Sequence, residues 1–137
     1  MKHNFSEIEL AFNFVSSNQP ETNYAILNLE TGEIYYKSDM IDEEEFPEDI
    51  EESDNYIWIP HKNELDLRKD LVFAFARQCI PEKFDEIKGF FRQKGAYSKY
   101  KDLLNLIGKS KEWETFENDA TIKALKEWCF ENEIEIE

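Results

Sequence analysis

The segment TNYAILNLETGEIYYKSD, residues 22–39, constrains the fold more than any other part of the chain. Tyr24 to Leu29 and Glu33 to Ser38 are rich in β-branched and aromatic side chains, which suit a pleated, half-buried surface. The loop ETGE between them is short enough only for a hairpin, and Gly32 is free to take the positive φ such a turn needs. A third run, NYIWIP at residues 55–60, predicts another strand, stopped by Pro60.

Helical spacing surrounds these strands. Phe5, Ile8, Phe12 and Val15 recur on one face of a helix over residues 5–17, with Asn4 as its cap and Glu7 as the other half of a capping box. Residues 64–80 predict a second helix, capped by Asn63, with Asp66 in its first turn and Leu67, Leu71, Phe75 and Cys79 on one side. PEKFDEIKGFF opens another helix with Pro81 near its first position. YSKYKDLLNLIG is a further one, with Tyr97, Tyr100, Leu103, Leu104 and Ile107 inward and Gly108 as its stop.

Residues 111–131 predict a long last helix through Trp113, Phe116, Ala120, Ala124, Leu125 and Trp128. The tail EIEIE changes period from about 3.6 to 2 and suggests a short edge strand with Ile134 and Ile136 inward. The expected class is α+β: a small antiparallel three-stranded sheet packed against an N-terminal helix and about four C-terminal helices. A chain of 137 residues is one domain by length and buries enough surface to need no staples.

Charge is unevenly spread. The formal net charge is −15, and nine of the carboxylates stand in DEEEFPEDIEESD: Asp42, Glu43, Glu44, Glu45, Glu48, Asp49, Glu51, Glu52 and Asp54. This stretch is not a calcium loop of the EF-hand kind. Counting from Asp42 puts Phe46 at a ligand position, Pro47 where glycine is required and Ser53 where glutamate is required. Counting from Glu43 puts Pro47 at a ligand position instead. It is also short for a mimic of duplex phosphate. The expectation is a solvated connection between strands, pinned by Phe46 and Ile50.

Half of the sixteen basic residues fall between residues 82 and 111. Within that window FFRQKGAYSKYKD mixes Arg92, Lys94, Lys99 and Lys101 with aromatic side chains. Those cations suit an anionic partner, and Tyr97 or Tyr100 would have to be displayed to stack on a nucleobase. The competing expectation, which we favour, puts both tyrosines into the core with Leu104.

Catalytic signals are thin. His3 is expected at a frayed end, and His61 follows Pro60 with no nucleophile at a recognisable spacing. DEIK, residues 85–88, lies on a helix that spreads its charges apart. No glycine-rich phosphate loop occurs, so no nucleotide, cofactor or metal is expected. Cys79 and Cys129 read as small buried apolar residues in a reducing compartment. The longest strictly apolar run is LVFAFA, residues 71–76, far below the ~20 residues that span a bilayer. A cytoplasmic protein without membrane contact is expected.

LNLETGEIYY, YIWIP, GAYSKYKDLL, WETF and ALKEWCFENEIEI, in that order, resemble a family of uncharacterised bacterial proteins. Its members share a TGE hairpin, a Gly-Ala-aromatic-x-x-aromatic-Lys-Asp helix start, and a Trp-x-x-Phe followed by a Glu-Trp helix. The resemblance runs from about Tyr24 onward and implies no activity, ligand or cofactor. The stretch Tyr97–Ser98–Lys99–Tyr100 is less basic than its counterpart in members with Phe and Arg there, which weakens a nucleic-acid reading. The first expectation is therefore a non-catalytic interaction domain that meets a protein partner through the basic/aromatic helix, with the acidic loop as a separate face. An enzyme built on scattered carboxylates and His61 is the second, and nucleic-acid binding through residues 90–102 the third.

Overall fold

The structure is a computed structural model and describes residues 2–39, 46–47 and 53–137. The chain forms two compact units. One comprises residues 1–65 with 124–137, and the other residues 66–123.

The first unit holds the sheet. Strands β1 (Asn23–Asn28), β2 (Ile34–Ser38) and β3 (Tyr56–Trp58) are antiparallel, in the order β2-β1-β3. Gly32 closes the β1–β2 hairpin at φ +82°, where a Cβ would be strained. The Asn28 side chain accepts from the N–H groups of Glu30 and Thr31, so the loop is held from inside.

Helix α1 (Phe5–Ser16) starts where Asn4 accepts the Glu7 N–H at 3.3 Å. It lies on the sheet face that carries Asn23, Ala25, Tyr36 and Ser38. Phe14 meets Tyr36 edge-on at 5.2 Å, and the Asn23 amide donates to the Phe14 carbonyl at 3.0 Å. Asn23 in turn accepts from the Ser38 hydroxyl at 2.6 Å, so this buried amide is satisfied on both sides. Ile8, Ala11, Phe12 and Val15 are buried, as their spacing predicts.

The expected helix over residues 64–80 is broken. Lys62–Leu65 form a separate 3-10 turn, Asp66 sits at φ +55°, and helix α2 begins only at Lys69. The cause is local. The Glu64 carboxylate accepts the His61 N–H at 2.7 Å, and His61 Nδ1 accepts the Asn63 N–H at 3.0 Å. These bonds hold a turn of their own. Asn63 therefore gives its backbone, not its side chain, and caps no helix.

In the second unit, α2 (Lys69–Cys79), α3 (Phe84–Phe90), α4 (Ala96–Ile107) and the first part of α5 (Ser110–Glu131) bury Leu71, Val72, Phe75, Ala76, Ile87, Tyr100, Leu103, Leu104 and Trp113. Phe75 and Tyr100 each stand edge-on to Trp113, at 5.4 and 5.1 Å. Pro81 opens a 3-10 turn that runs directly into α3. Gly108 ends α4 in the left-handed conformation, and the Lys109 N–H returns to the Leu104 carbonyl at 2.8 Å.

Two expectations about burial are corrected. Cys79 is exposed, whereas Cys129 is buried. Cys79 is the last residue of α2, and the buried side chain at this end is that of Ile80, which follows it in a non-helical conformation. His3 is buried rather than frayed. Its N–H donates to the Glu135 carbonyl at 2.8 Å and its carbonyl accepts the Glu137 N–H at 3.0 Å. The tail thus forms a parallel bridge with the N-terminal segment instead of joining the edge of the sheet. Ile134 points inward, as its alternation predicts, and Ile136 is half-buried.

Candidate interaction surfaces

His61 is buried at the exit of β3, and both its ring nitrogens are engaged. Nδ1 accepts from a backbone N–H and so carries no proton. Nε2 then holds the hydrogen and donates to the Asn18 carbonyl at 2.8 Å. A ring locked this way has no nitrogen left to take a proton from a substrate. Among the described residues no group of three His, Cys, Asp or Glu side chains could hold a metal ion.

The basic/aromatic helix separates into inward rings and outward charges. Tyr100 is fully buried. Tyr97 is half-buried, edge-on to Phe91 at 5.2 Å, with the Arg68 guanidinium over its ring at 5.0 Å. The line continues through Phe73, which meets Phe91 at 5.5 Å and Phe84 at 5.8 Å. Arg77 covers Phe84 and Lys69 covers Phe73. Each of these half-buried rings therefore already carries an edge-on aromatic or a cation contact. Burial, reinforced by Glu117, Cys79 and Tyr97, pushes the Tyr100 phenol far up, and it stays protonated.

Arg92, Lys94, Lys99 and Lys101 are all exposed. Among the described residues none of them takes part in an ion pair; the two pairs seen are Lys83–Glu86 and Lys109–Glu112. Lys99 Nζ donates to the Gln93 side chain, which ties the first turn of α4 to the turn that carries Arg92 and Lys94. Lys101 stands two positions beyond Lys99, about 200° around the helix. It leaves on the opposite flank of the buried Tyr100. The structure therefore groups three of the four cations.

Most of the acidic stretch lies outside the described residues: Asp42, Glu43, Glu44, Glu45, Glu48, Asp49, Glu51 and Glu52, with Ile50. Phe46 within it is described. It is half-buried, 5.7 Å from Trp58 and edge-on to it, with Lys37 Nζ over its ring at 5.9 Å. Asp54 is exposed beside β3.

The sheet face away from α1 was missed by reading each strand alone. Tyr24 and Ile26 of β1, Tyr35 and Lys37 of β2, and Tyr56 and Trp58 of β3 alternate onto it. Tyr24 meets Trp58 at 6.0 Å and Tyr35 meets Tyr56 at 6.5 Å, both edge-on. Under these rings Ile26 is fully buried, while Trp58 remains 55% exposed. Burial and the Asp39 and Glu21 carboxylates push the Tyr24 phenol up, against Lys37. The signal was in the sequence: at least one aromatic residue of each strand falls on this face.

Neither a family model, nor a curated protein, nor a solved structure matches this chain. No helix among the described residues is long and apolar enough to cross a membrane.

Proposed function

We propose that this chain is a non-catalytic interaction domain of the bacterial cytoplasm, of the family it resembles, and that Arg92, Lys94 and Lys99 contact an acidic surface of a partner protein. The observation that carries the reading is the trio itself: Arg92 and Lys94 on the turn before α4 and Lys99 in its first turn, bonded back to Gln93, all three exposed and outside any ion pair among the described residues. Exposed cations left without partners steer association with a surface of opposite sign. The acidic stretch stands as a separate face. Two free cysteines, one of them exposed, fit a reducing compartment.

The alternatives have less support. An enzyme would need His61, and both of its nitrogens are bound. Nucleic-acid binding would need displayed tyrosines beside the cations, whereas Tyr100 is buried and Tyr97 is half-buried against Phe91 and Arg68.

The test is affinity capture from a bacterial lysate with the folded protein as bait. The variant Arg92→Glu/Lys94→Glu/Lys99→Glu should lose a partner that the parent retains, and Lys101→Glu should keep it. Identical captured sets for parent and triple variant would refute the reading. Binding of RNA or DNA with steep salt dependence, lost in the triple variant, would replace it with the nucleic-acid alternative.

A further inference from the structure

The aromatic sheet face is a second surface, independent of the cations on the α3–α4 turn. We infer that it docks an extended, arginine-rich segment of a partner protein, with Trp58 at its centre.

Strand faces turned to water normally carry polar side chains. This one carries Tyr24, Tyr35, Tyr56 and Trp58, with Phe46 laid against Trp58. Ile26 needs some cover, and the rings supply it. Covering Ile26 does not require the largest side chain of the set to stand 55% exposed. Indole is the best of the rings at attracting a cation to its face.

The surroundings select the sign of the occupant. Between residues 21 and 60 the described residues carry five carboxylates, Glu21, Glu30, Glu33, Asp39 and Asp54, and one basic side chain, Lys37. Glu21 and Asp39 are close enough to Tyr24 to act on its phenol. The Glu33 carboxylate accepts from the Tyr35 hydroxyl, and Glu30 holds the Asn55 amide. A nucleic acid, which would use the same rings for stacking, is repelled by this rim. A cationic chain is attracted to it. Lys37 over Phe46 is an example of the same contact within the molecule itself.

Arginine fits better than lysine. Its planar guanidinium lies flat on a ring while its N–H groups reach a carboxylate at the rim. An extended segment also matches the site, because side chains on one side of a strand recur every ~6.8 Å, close to the ring spacings of 6.0 and 6.5 Å.

The experiment uses the full chain and a fluorescein-labelled synthetic peptide of alternating arginine and serine. Anisotropy titration at low salt gives the affinity, and the amide and indole N–H spectrum locates the site. The Trp58 indole resonance should shift on binding. Trp58→Ala should weaken binding about tenfold, Trp58→Phe should retain most of it, and the Arg92→Glu/Lys94→Glu/Lys99→Glu variant should bind as the parent does. A peptide with lysine in place of arginine should bind more weakly. Three results would overturn the inference: no peptide binding, equal affinity for parent and Trp58→Ala, or an oligomer that Trp58→Ala converts to monomer, which would make a second copy the occupant. Loss of partner capture by the triple variant is read separately, so either surface can fail alone.

Discussion

His61 donates from Nε2 to the carbonyl of Asn18, forty-three residues earlier, at 2.8 Å. Its other nitrogen accepts the Asn63 N–H. One imidazole thereby ties the end of α1 to the turn after β3, and Lys62 adds a second tie by donating its N–H to the Ser16 hydroxyl at 3.1 Å. The ring thus holds two segments of the fold together.

Replacing it should show that role. His61→Ala leaves the Asn18 carbonyl and Asn63 N–H without this partner, and should cost about 1–3 kcal/mol of stability in urea unfolding. In the parent protein, long-range nitrogen–proton spectra should report the Nε2–H tautomer. An Nδ1–H tautomer would contradict the assignment.

Tyr100 offers the opposite case. Its hydroxyl is buried with no hydrogen-bond partner among the described residues, and its ring packs on Trp113. Tyr100→Phe keeps the ring and removes the unsatisfied group. The variant should be as stable as the parent or more stable, by up to about 1–3 kcal/mol. A loss of stability would mean that the hydroxyl has a bonding partner after all.

The two thiols should separate cleanly in a labelling experiment. Exposed Cys79 should react with a thiol reagent in the native protein, and buried Cys129 only on unfolding. Burial pushes the Cys129 thiol up to about 11, which lowers its thiolate fraction further. Two fast equivalents would contradict the burial of Cys129.

The same burial predicts alkaline sensitivity. In the unfolded chain Cys129 loses its proton near the ordinary value of 9.0, and in the fold only near about 11. Between those values the folded state holds more protons, so stability is complete below the window and falls as pH rises through it. One such group contributes a slope of up to about 1.4 kcal/mol per pH unit. The urea midpoint should drop through this window, and Cys129→Ala should drop less steeply. Parallel profiles would exclude the thiol as a source.

Asp66 is a non-glycine residue at φ +55°. Asp66→Gly relieves the left-handed strain while loosening the unfolded chain, and the first effect should dominate by about 0.5–1 kcal/mol. If Asp66→Gly is destabilising, the carboxylate holds that conformation by bonds of its own.

What could be read in advance, and what could not, follows from the range of each interaction. Helix α1, the hairpin and the stop at Gly108 are written in short windows: apolar spacing, an Asn cap, a glycine at the turn. The break before α2 is also local, but it depends on the Glu64 and His61 side chains bonding backbone rather than solvent. Apolar periodicity carries no trace of that choice. The burial of His3 depends on a partner far along the chain and has no local signal at all. Tyr97 and Tyr100 could be placed inward from spacing, and the grouping of Arg92, Lys94 and Lys99 without Lys101 required a helix with known ends. The aromatic sheet face was legible in principle. It needed the register of three strands considered together.

The bridge between His3 and Ile136 sets a schedule. A chain emerging from the ribosome completes residues 66–123 before the tail exists. The helical unit is then free to collapse while the sheet unit still waits for Leu125, Cys129 and Ile134 to be synthesised. A stalled or prematurely terminated nascent chain would therefore leave α1 and the sheet incomplete, with apolar surface open to chaperones and proteases.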